Sequence, residues 1–256
     1  MTEDKKMKLL YLDCYMGAAG DMLTAALLAL LPEPEGYVER MNALLGGRAQ
    51  VSCTKDEKCG ISGLHVNVTV NGEEEDEHLH EHHHHHHHTG VGEICVMIDA
   101  MDIPDGVKSD AKAVFTLVAE AEGQVHGESV ENIHFHELGT LDALADVLGV
   151  CLLLHELAPD KVCASPVNVG SGRVKCAHGV LPVPTPATEL LLRGVPVYSS
   201  GIEGELCTPT GAALLRHFVN KFCPLPPMRI ERTGCGTGKR YYPAANIVRA
   251  MLGEAL

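Results

Sequence analysis

Apolar positions crowd the start of the chain, where KLLYLDC, Lys8 to Cys14, reads as a hydrophobic strand ending at Asp13. Asp13 is thereby predicted at a strand's carboxyl end, where open α/β sheets gather their sites. YMGAAGD then turns on two glycines into an apolar helix from Asp21 to Leu31, with Asp21 suited to its N-cap and Pro32 and Pro34 ending it. Tyr37 to Leu45 predicts a second helix. Ala49 to Lys55 and Leu64 to Val70 alternate as strands do, around a turn at Gly60-Ile61-Ser62-Gly63. Helical spacing returns over Glu93 to Met101 and Ser109 to Glu122, broken by Pro104-Asp105-Gly106, and again from Thr140 to about Leu157. KVCASPVNVGSG predicts a short strand running into a glycine-rich loop. After it come a helix start at Pro186, a loop passing into a helix over 203–216, the strand MRIERTGCGTG and a last strand from Ala245 to Leu252. The elements predict an α/β fold, a sheet with packed helices. Its parts are an N-terminal α/β segment at 1–70, a loop at 71–92 and an α/β segment at 93–256 that can join 1–70 in one domain.

The alternation fails from Asn71 to Gly92: NGEEEDEHLHEHHHHHHHTGVG has nothing with which to build a core and is expected to be an exposed, disordered loop. Nine of the 16 histidines fall between His78 and His88, and His82, His83, His84, His85, His86, His87 and His88 are consecutive. Near neutral pH these are mostly unprotonated donors on a flexible tether, suited to Ni(II), Cu(II) or Zn(II). Their place mid-chain, in an acidic, His-sprinkled segment, favours metal buffering over a purification tag. The formal net charge is −14, and the six acidic residues of Glu73 to His88, with no Lys or Arg among them, supply a large part of it. That acidity argues against nucleic acid and anionic membranes as partners. No stretch has the roughly 18 uninterrupted apolar residues of a membrane span, and the first residues lack a leader's apolar region, so a cytoplasmic protein is expected. The ten cysteines contain no C-x-x-C pair and are expected as free thiols, most of them core filler.

Chemistry concentrates in HFHELGTLDALADVLG, residues 134–149. On a short extended run His134 and His136 project to one face, where a pair of imidazoles can share a metal. Glu137 follows, Gly139 breaks the strand, Thr140 can cap a helix, and Asp142 and Asp146 lie four apart on one helical face. The five side chains together favour a metal site over a solvated helix face. A second loaded stretch is RVKCAHGV: Gly170 and Gly172 allow close backbone approach, and Arg173 and Lys175 suit a phosphate or carboxylate. Cys176 and His178 there add a soft and a borderline metal ligand. Lys175 beside Cys176, and an exposed position, favour the thiolate. Thr208 and Thr210 stand near a helix N-terminus able to receive an anion. Gly234 to Lys239 is superficially like a phosphate-binding P-loop, but it is one residue short, and Arg240 stands where a magnesium-binding hydroxyl belongs.

Five blocks, YLDCYMGAAGDM, the acidic His-rich loop, HFHELGTLDALADVLG, VKCAHGVLPVPTPATELL and EGELCTPTGAALL, occur in an order that resembles the LarC family of nickel-pincer nucleotide cofactor biosynthesis proteins. One departure is Met16, where relatives commonly carry Ser. The resemblance implies a nickel insertase acting on pyridinium-3,5-bisthiocarboxylic acid mononucleotide, a thiolated pyridinium mononucleotide. Two nickel–sulfur bonds and one nickel–carbon bond would form in a reaction dependent on CTP with Mg(2+) or Mn(2+). The product would be the cofactor of lactate racemase, and a C-terminal LarC domain or partner chain is held to bind the CTP. A homo-oligomer is expected. In that reading Ni(2+) is collected by the His82 to His88 run and held by His134, His136, Glu137, Asp142, Asp146 and Cys176. Cys176, Glu137 and His178 act in the chemistry, with Glu137 or His178 taking the ring proton. Asp13, Gly170, Gly172, Arg173, Lys175, Thr208 and Thr210 hold the nucleotide. A competing expectation is a nickel metallochaperone or store without catalysis. A metal hydrolase, which H-x-H on a strand can also signal, lacks the further histidines, the lysine and the repeated βα units it needs.

Overall fold

The computed structural model of the protein describes residues 6–70, 90–133, 141–176 and 179–256, and the backbone of 73–74. The chain opens with β1 (Lys8–Asp13), α1 (Gly20–Leu28) and α2 (Pro34–Leu45). Next come the hairpin β2 (Gln50–Lys58) and β3 (Ile61–Val70), with β4 (Glu73–Glu74) against the end of β3. Three helices follow, α3 (Val91–Asp99), α4 (Asp105–His126) and α5 (Leu141–Leu157). β5 (Lys161–Ala164) leads to β6 (Val167–Asn168), β7 (Gly170–Ser171), β8 (Arg173–Cys176) and β9 (Gly179–Pro182). After α6 (Pro186–Leu191) come β10 (Val197–Tyr198), β11 (Gly204–Glu205), α7 (Pro209–Phe218), β12 (Lys221–Phe222), β13 (Met228–Thr237) and β14 (Ile247–Ala255).

The α/β expectation holds, and the sheet is mixed, in the order β12-β5-β1-β14-β13-β3-β2. Strand alternation divides β1 between two faces. Leu10 and Leu12 join the large core under the helices, while Leu9 and Tyr11 enter a smaller cluster with Cys163 and Met251 on the opposite face. α1 lies on that large core against β13, β3 and β14, and α5 and α7 pack against α1. Its contact with β13 is backbone-close: a Cβ added to Gly236 would sit 2.0 Å from the Met22 carbonyl oxygen, and one on Gly234 2.1 Å from that of Ala26. The glycines of the P-loop-like run therefore serve helix–sheet packing.

α3 begins at Val91, inside the expected 71–92 loop, α4 begins at Asp105, inside the expected break, and three further elements differ from expectation for local reasons. Pro34 begins α2 at its first turn, where a missing N–H costs nothing, and only Pro32 separates the helices. The β2–β3 hairpin is longer than its apolar core suggests, because Cys59 and Gly60 both take positive φ (52° and 80°) and turn the chain in two residues. Asp21 lies inside α1 and is not its N-cap; Ala19 holds that position, and Asp21 Oδ1 accepts from the Met22 N–H at 2.7 Å. Among the described residues no helix is long and apolar enough to cross a membrane.

Candidate functional site at three converging helix starts

β1 and β5 run parallel and in register from Leu9↔Lys161 to Leu12↔Ala164, so the chain leaves both at one edge of the sheet. Asp13 is engaged there by Arg249 of β14, which donates from Nε at 3.1 Å and also from its terminal nitrogen. The following loop is stitched to the strand before α7: the Ala18 N–H donates to the Leu206 carbonyl at 3.0 Å and the Thr208 N–H to that of Ala18 at 3.1 Å. Asn168, fully buried, ties the same loop to its neighbours, donating to the Tyr15 carbonyl and to Ser200 Oγ, each at 2.8 Å. Nothing in the sequence marked this asparagine, which is one amide in a glycine-rich loop.

The stitching brings the beginnings of α1, α7 and α5 together. Thr208 caps α7, its hydroxyl accepting from the Gly211 N–H at 3.2 Å, while Thr210 is buried in the first turn. Capping uses the Thr208 hydroxyl as an acceptor and leaves its O–H able to donate. α5 meets α1 through Gly20, where an added Cβ would lie 2.5 Å from Asp146 Oδ2. Asp142 and Asp146 do share one region of α5, as their spacing predicts, and Asp21 of α1 joins them. Asp146 is 8% exposed, and its Oδ1 has no hydrogen-bond partner among the described residues. Burial, then the charges of Asp142 and Asp21, push its carboxyl well above the usual range. Burial likewise raises Asp21 to about 6, with His65 and Lys239 among the groups that pull it down.

Other predicted residues lie on other elements. Gly170 (φ 84°) and Gly172 (φ 81°) carry the close turn expected of them; a Cβ on Gly170 would lie 1.9 Å from the Gly204 carbonyl oxygen of β11. Arg173 and Lys175 are exposed on β8, which pairs with β9 as a hairpin of its own, and Cys176 is half-buried at the end of that strand. Burial raises the thiols of Cys14, Cys53, Cys95, Cys151, Cys163, Cys207 and Cys235, as expected of cysteines that fill a core. His134, His136, Glu137, His178 and the His82 to His88 run lie outside the described residues. Among the described residues no group of three His, Cys, Asp or Glu is placed to hold a metal ion. Any nickel site that uses Asp142 and Asp146 therefore takes further donors from elsewhere. The nearness of Asp21, His65 and Lys239 escaped the sequence reading, which took Asp21 as a cap and Lys239 as part of a failed P-loop, because elements distant in sequence bring them together.

The family model for nickel insertion proteins matches residues 10–256. A pyridinium-3,5-bisthiocarboxylic acid mononucleotide nickel insertion protein of Geobacillus kaustophilus is 40% identical over 250 residues, which are 97% of this chain and 60% of the relative. Relatives of the same name from Clostridium kluyveri and Staphylococcus epidermidis are 38% and 36% identical, each over 97% of this chain and over 62% and 60% of their own lengths. The chain thus spans about six-tenths of the length of the curated relatives it matches. No solved structure matches it. With nearly every residue inside the family match and every block of the resemblance in order, the chain belongs to the nickel insertion protein family.

Proposed function

We propose that this chain carries out nickel insertion into pyridinium-3,5-bisthiocarboxylic acid mononucleotide, making the nickel-pincer cofactor of lactate racemase as a nickel insertase. Nickel(II) is cargo: it bonds to the two thiocarboxylate sulfurs and to one ring carbon, whose proton passes to a base, and its oxidation state is unchanged. The observation that carries the reading is the carboxylate pair Asp142 and Asp146 directly after the HFHELGT segment, with Asp21 of α1 beside it. A buried carboxylate oxygen without a hydrogen bond among the described residues gains from a divalent cation once further donors complete the set. Asp142 and Asp146 would then complete a donor set begun by His134, His136 and Glu137. Cys176 would hold nickel while substrate sulfurs displace other ligands, Glu137 or His178 would accept the ring proton, and His82 to His88 would deliver the metal. Dependence on CTP with Mg(2+) or Mn(2+) belongs to the same proposal. The Gly234 to Lys239 run does not form a phosphate loop, its glycines being taken up by α1, so no step on this chain is assigned to CTP.

The test is to mix the chain with the thiolated nucleotide, nickel, CTP and magnesium, with and without a C-terminal partner polypeptide, and to assay lactate-racemase-activating product. Product in either arm supports insertion; nickel binding without product in both arms supports a store or metallochaperone instead. Deleting Glu73 to His88 is expected to lower bound nickel in equilibrium dialysis yet leave insertion intact at saturating nickel, because seven adjacent imidazoles impose no single geometry. Cys176→Ala is expected to slow insertion at limiting nickel with an unchanged melting temperature. Cys151→Ala, at a site 1% exposed within α5, should instead cost about 1 kcal/mol of stability.

A further inference from the structure

A cleft of about 310 Å³ opens where β2, β3 and the β13–β14 connection meet, and its lining runs against the charge of the whole molecule. The chain has 34 acidic and 20 basic residues, yet Lys55, Lys58 and Lys239 line this cleft with a single carboxylate, Asp56. That carboxylate is already committed. It accepts from Thr237 Oγ1 at 2.7 Å and pairs with Lys58 Nζ at 3.3 Å, and the Thr237 hydrogen bond leads in holding its pKa below the usual range. Lys58 is fixed as well, its side chain 4% exposed and its ammonium 3.6 Å from the centre of the Tyr241 ring. Lys55 and Lys239 make no hydrogen bond or ion pair among the described residues, and although Lys239 also bears on the Asp21 and Asp146 carboxyls, both are exposed cations at this space. His65 bonds through Nδ1 to the Thr237 carbonyl at 3.0 Å, which leaves Nε2 as its free ring atom. Tyr241 is 80% exposed, an unusual outlay of aromatic surface in a chain with only four Phe, six Tyr and no Trp. The cleft borders the carboxylate cluster, since His65 and Lys239 both act on Asp21.

We propose that this cleft binds the phosphate of a pyridinium mononucleotide, with Lys55, Lys58 and Lys239 as its cationic partners and Tyr241 against the ring. The nucleotide's identity rests on the nickel-insertion reading; the anion site itself does not. Bound this way, the phosphate would be held on one side of Asp21 and the ring could reach toward the carboxylates on the other. The motif that fails as a P-loop acquires a role: the glycines of Gly234 to Gly238 seat β13 under α1, and Lys239, directly after them, is delivered to the cleft.

The experiment is a calorimetric titration of the chain with nicotinic acid mononucleotide, CTP and inorganic phosphate, repeated on Lys55→Ala/Lys239→Ala, Tyr241→Ala and Arg173→Ala/Lys175→Ala. Lys55 and Lys239 are exposed, so their removal should leave the fold intact. The double lysine variant is expected to weaken the mononucleotide by about tenfold or more, or 1.4 kcal/mol per tenfold, and the Arg173/Lys175 variant to leave it unchanged. Tyr241→Ala should weaken the mononucleotide more than phosphate. Wild-type binding of the mononucleotide that survives loss of both lysines overturns the cleft and leaves the insertion reading standing. Binding of phosphate or CTP through the lysines, with none of the mononucleotide, keeps the anion site and overturns the nucleotide assignment. No binding of any of the three overturns both.

Discussion

Asp146→Asn is expected to raise the melting temperature at pH 8 by on the order of 5 °C while stopping nickel insertion. Asp146 is held 8% exposed beside Asp142 and Asp21, with one oxygen unpaired among the described residues, so burial and its neighbours oppose its charge. Relieving an uncompensated buried charge is worth on the order of 2 kcal/mol, and each kcal/mol moves the melting point of a chain this size by about 2–4 °C. The pH dependence has a definite sign. Asp21 ionises near 3.8 in an unfolded chain and at about 6 in the fold, and Asp146 is displaced in the same direction. Between those values the folded protein keeps protons that the unfolded chain has released. The stabilisation these carboxyls give is therefore complete below the unfolded value and lost as pH rises through the folded one. The benefit of Asp146→Asn should accordingly be present at pH 8 and small at pH 4.5, where the wild-type carboxyls are largely protonated. Scanning calorimetry at the two pH values decides it: an equal gain at both would show that packing, rather than charge, limits stability here. Insertion that survives the substitution would remove Asp146 from the nickel site.

Gly17→Ala should be among the most damaging glycine substitutions in the described residues. Gly17 takes φ 78°, and a Cβ there would stand 1.9 Å from the Leu206 carbonyl oxygen, itself the acceptor for Ala18. The left-handed conformation and the forced separation of the two loops together cost about 3–5 kcal/mol. Gly46→Ala is the control. Gly46 also has positive φ (59°), at the C-cap of α2, but its added methyl meets open space, so the loss should be about 1 kcal/mol. Chemical denaturation of both variants separates collision from conformation; similar losses in the two would mean that the loops part without strain.

What the sequence made legible is local. The run KLLYLDC forms β1, and the four-residue spacing of Asp142 and Asp146 places both carboxylates on α5, because strand and helix periods act over neighbouring residues. The order of five blocks disclosed the family. The cleft was hidden, since it needs Lys55 and Lys58 from β2, His65 from β3 and Lys239 from beyond β13, which meet only through parallel contact of β3 with β13. The same distance concealed Asp21, which has the look of a cap in the sequence and is a member of the carboxylate cluster in space. Arg173 and Lys175 flank glycines in a pattern that local sequence can show, and they stand exposed on a small hairpin, while Lys58, buried in the fold, carries no motif around it.

The position of β14 has a consequence for biosynthesis. The strand spanning 247–255 lies between β1 and β13 and matches Glu254 to Lys8, so the middle of the sheet joins two of the most distant described parts of the chain. Until residues 247–255 are made, β1 can pair only with β5 and β13 only with β3, each leaving a bare row of amides and carbonyls on its other side. Open strand edges of this kind invite pairing with other chains, and contacts of such long sequence separation form slowly. A nascent chain of this protein should therefore depend on chaperones until β14 arrives, and should be prone to aggregate if translation stalls before residue 247.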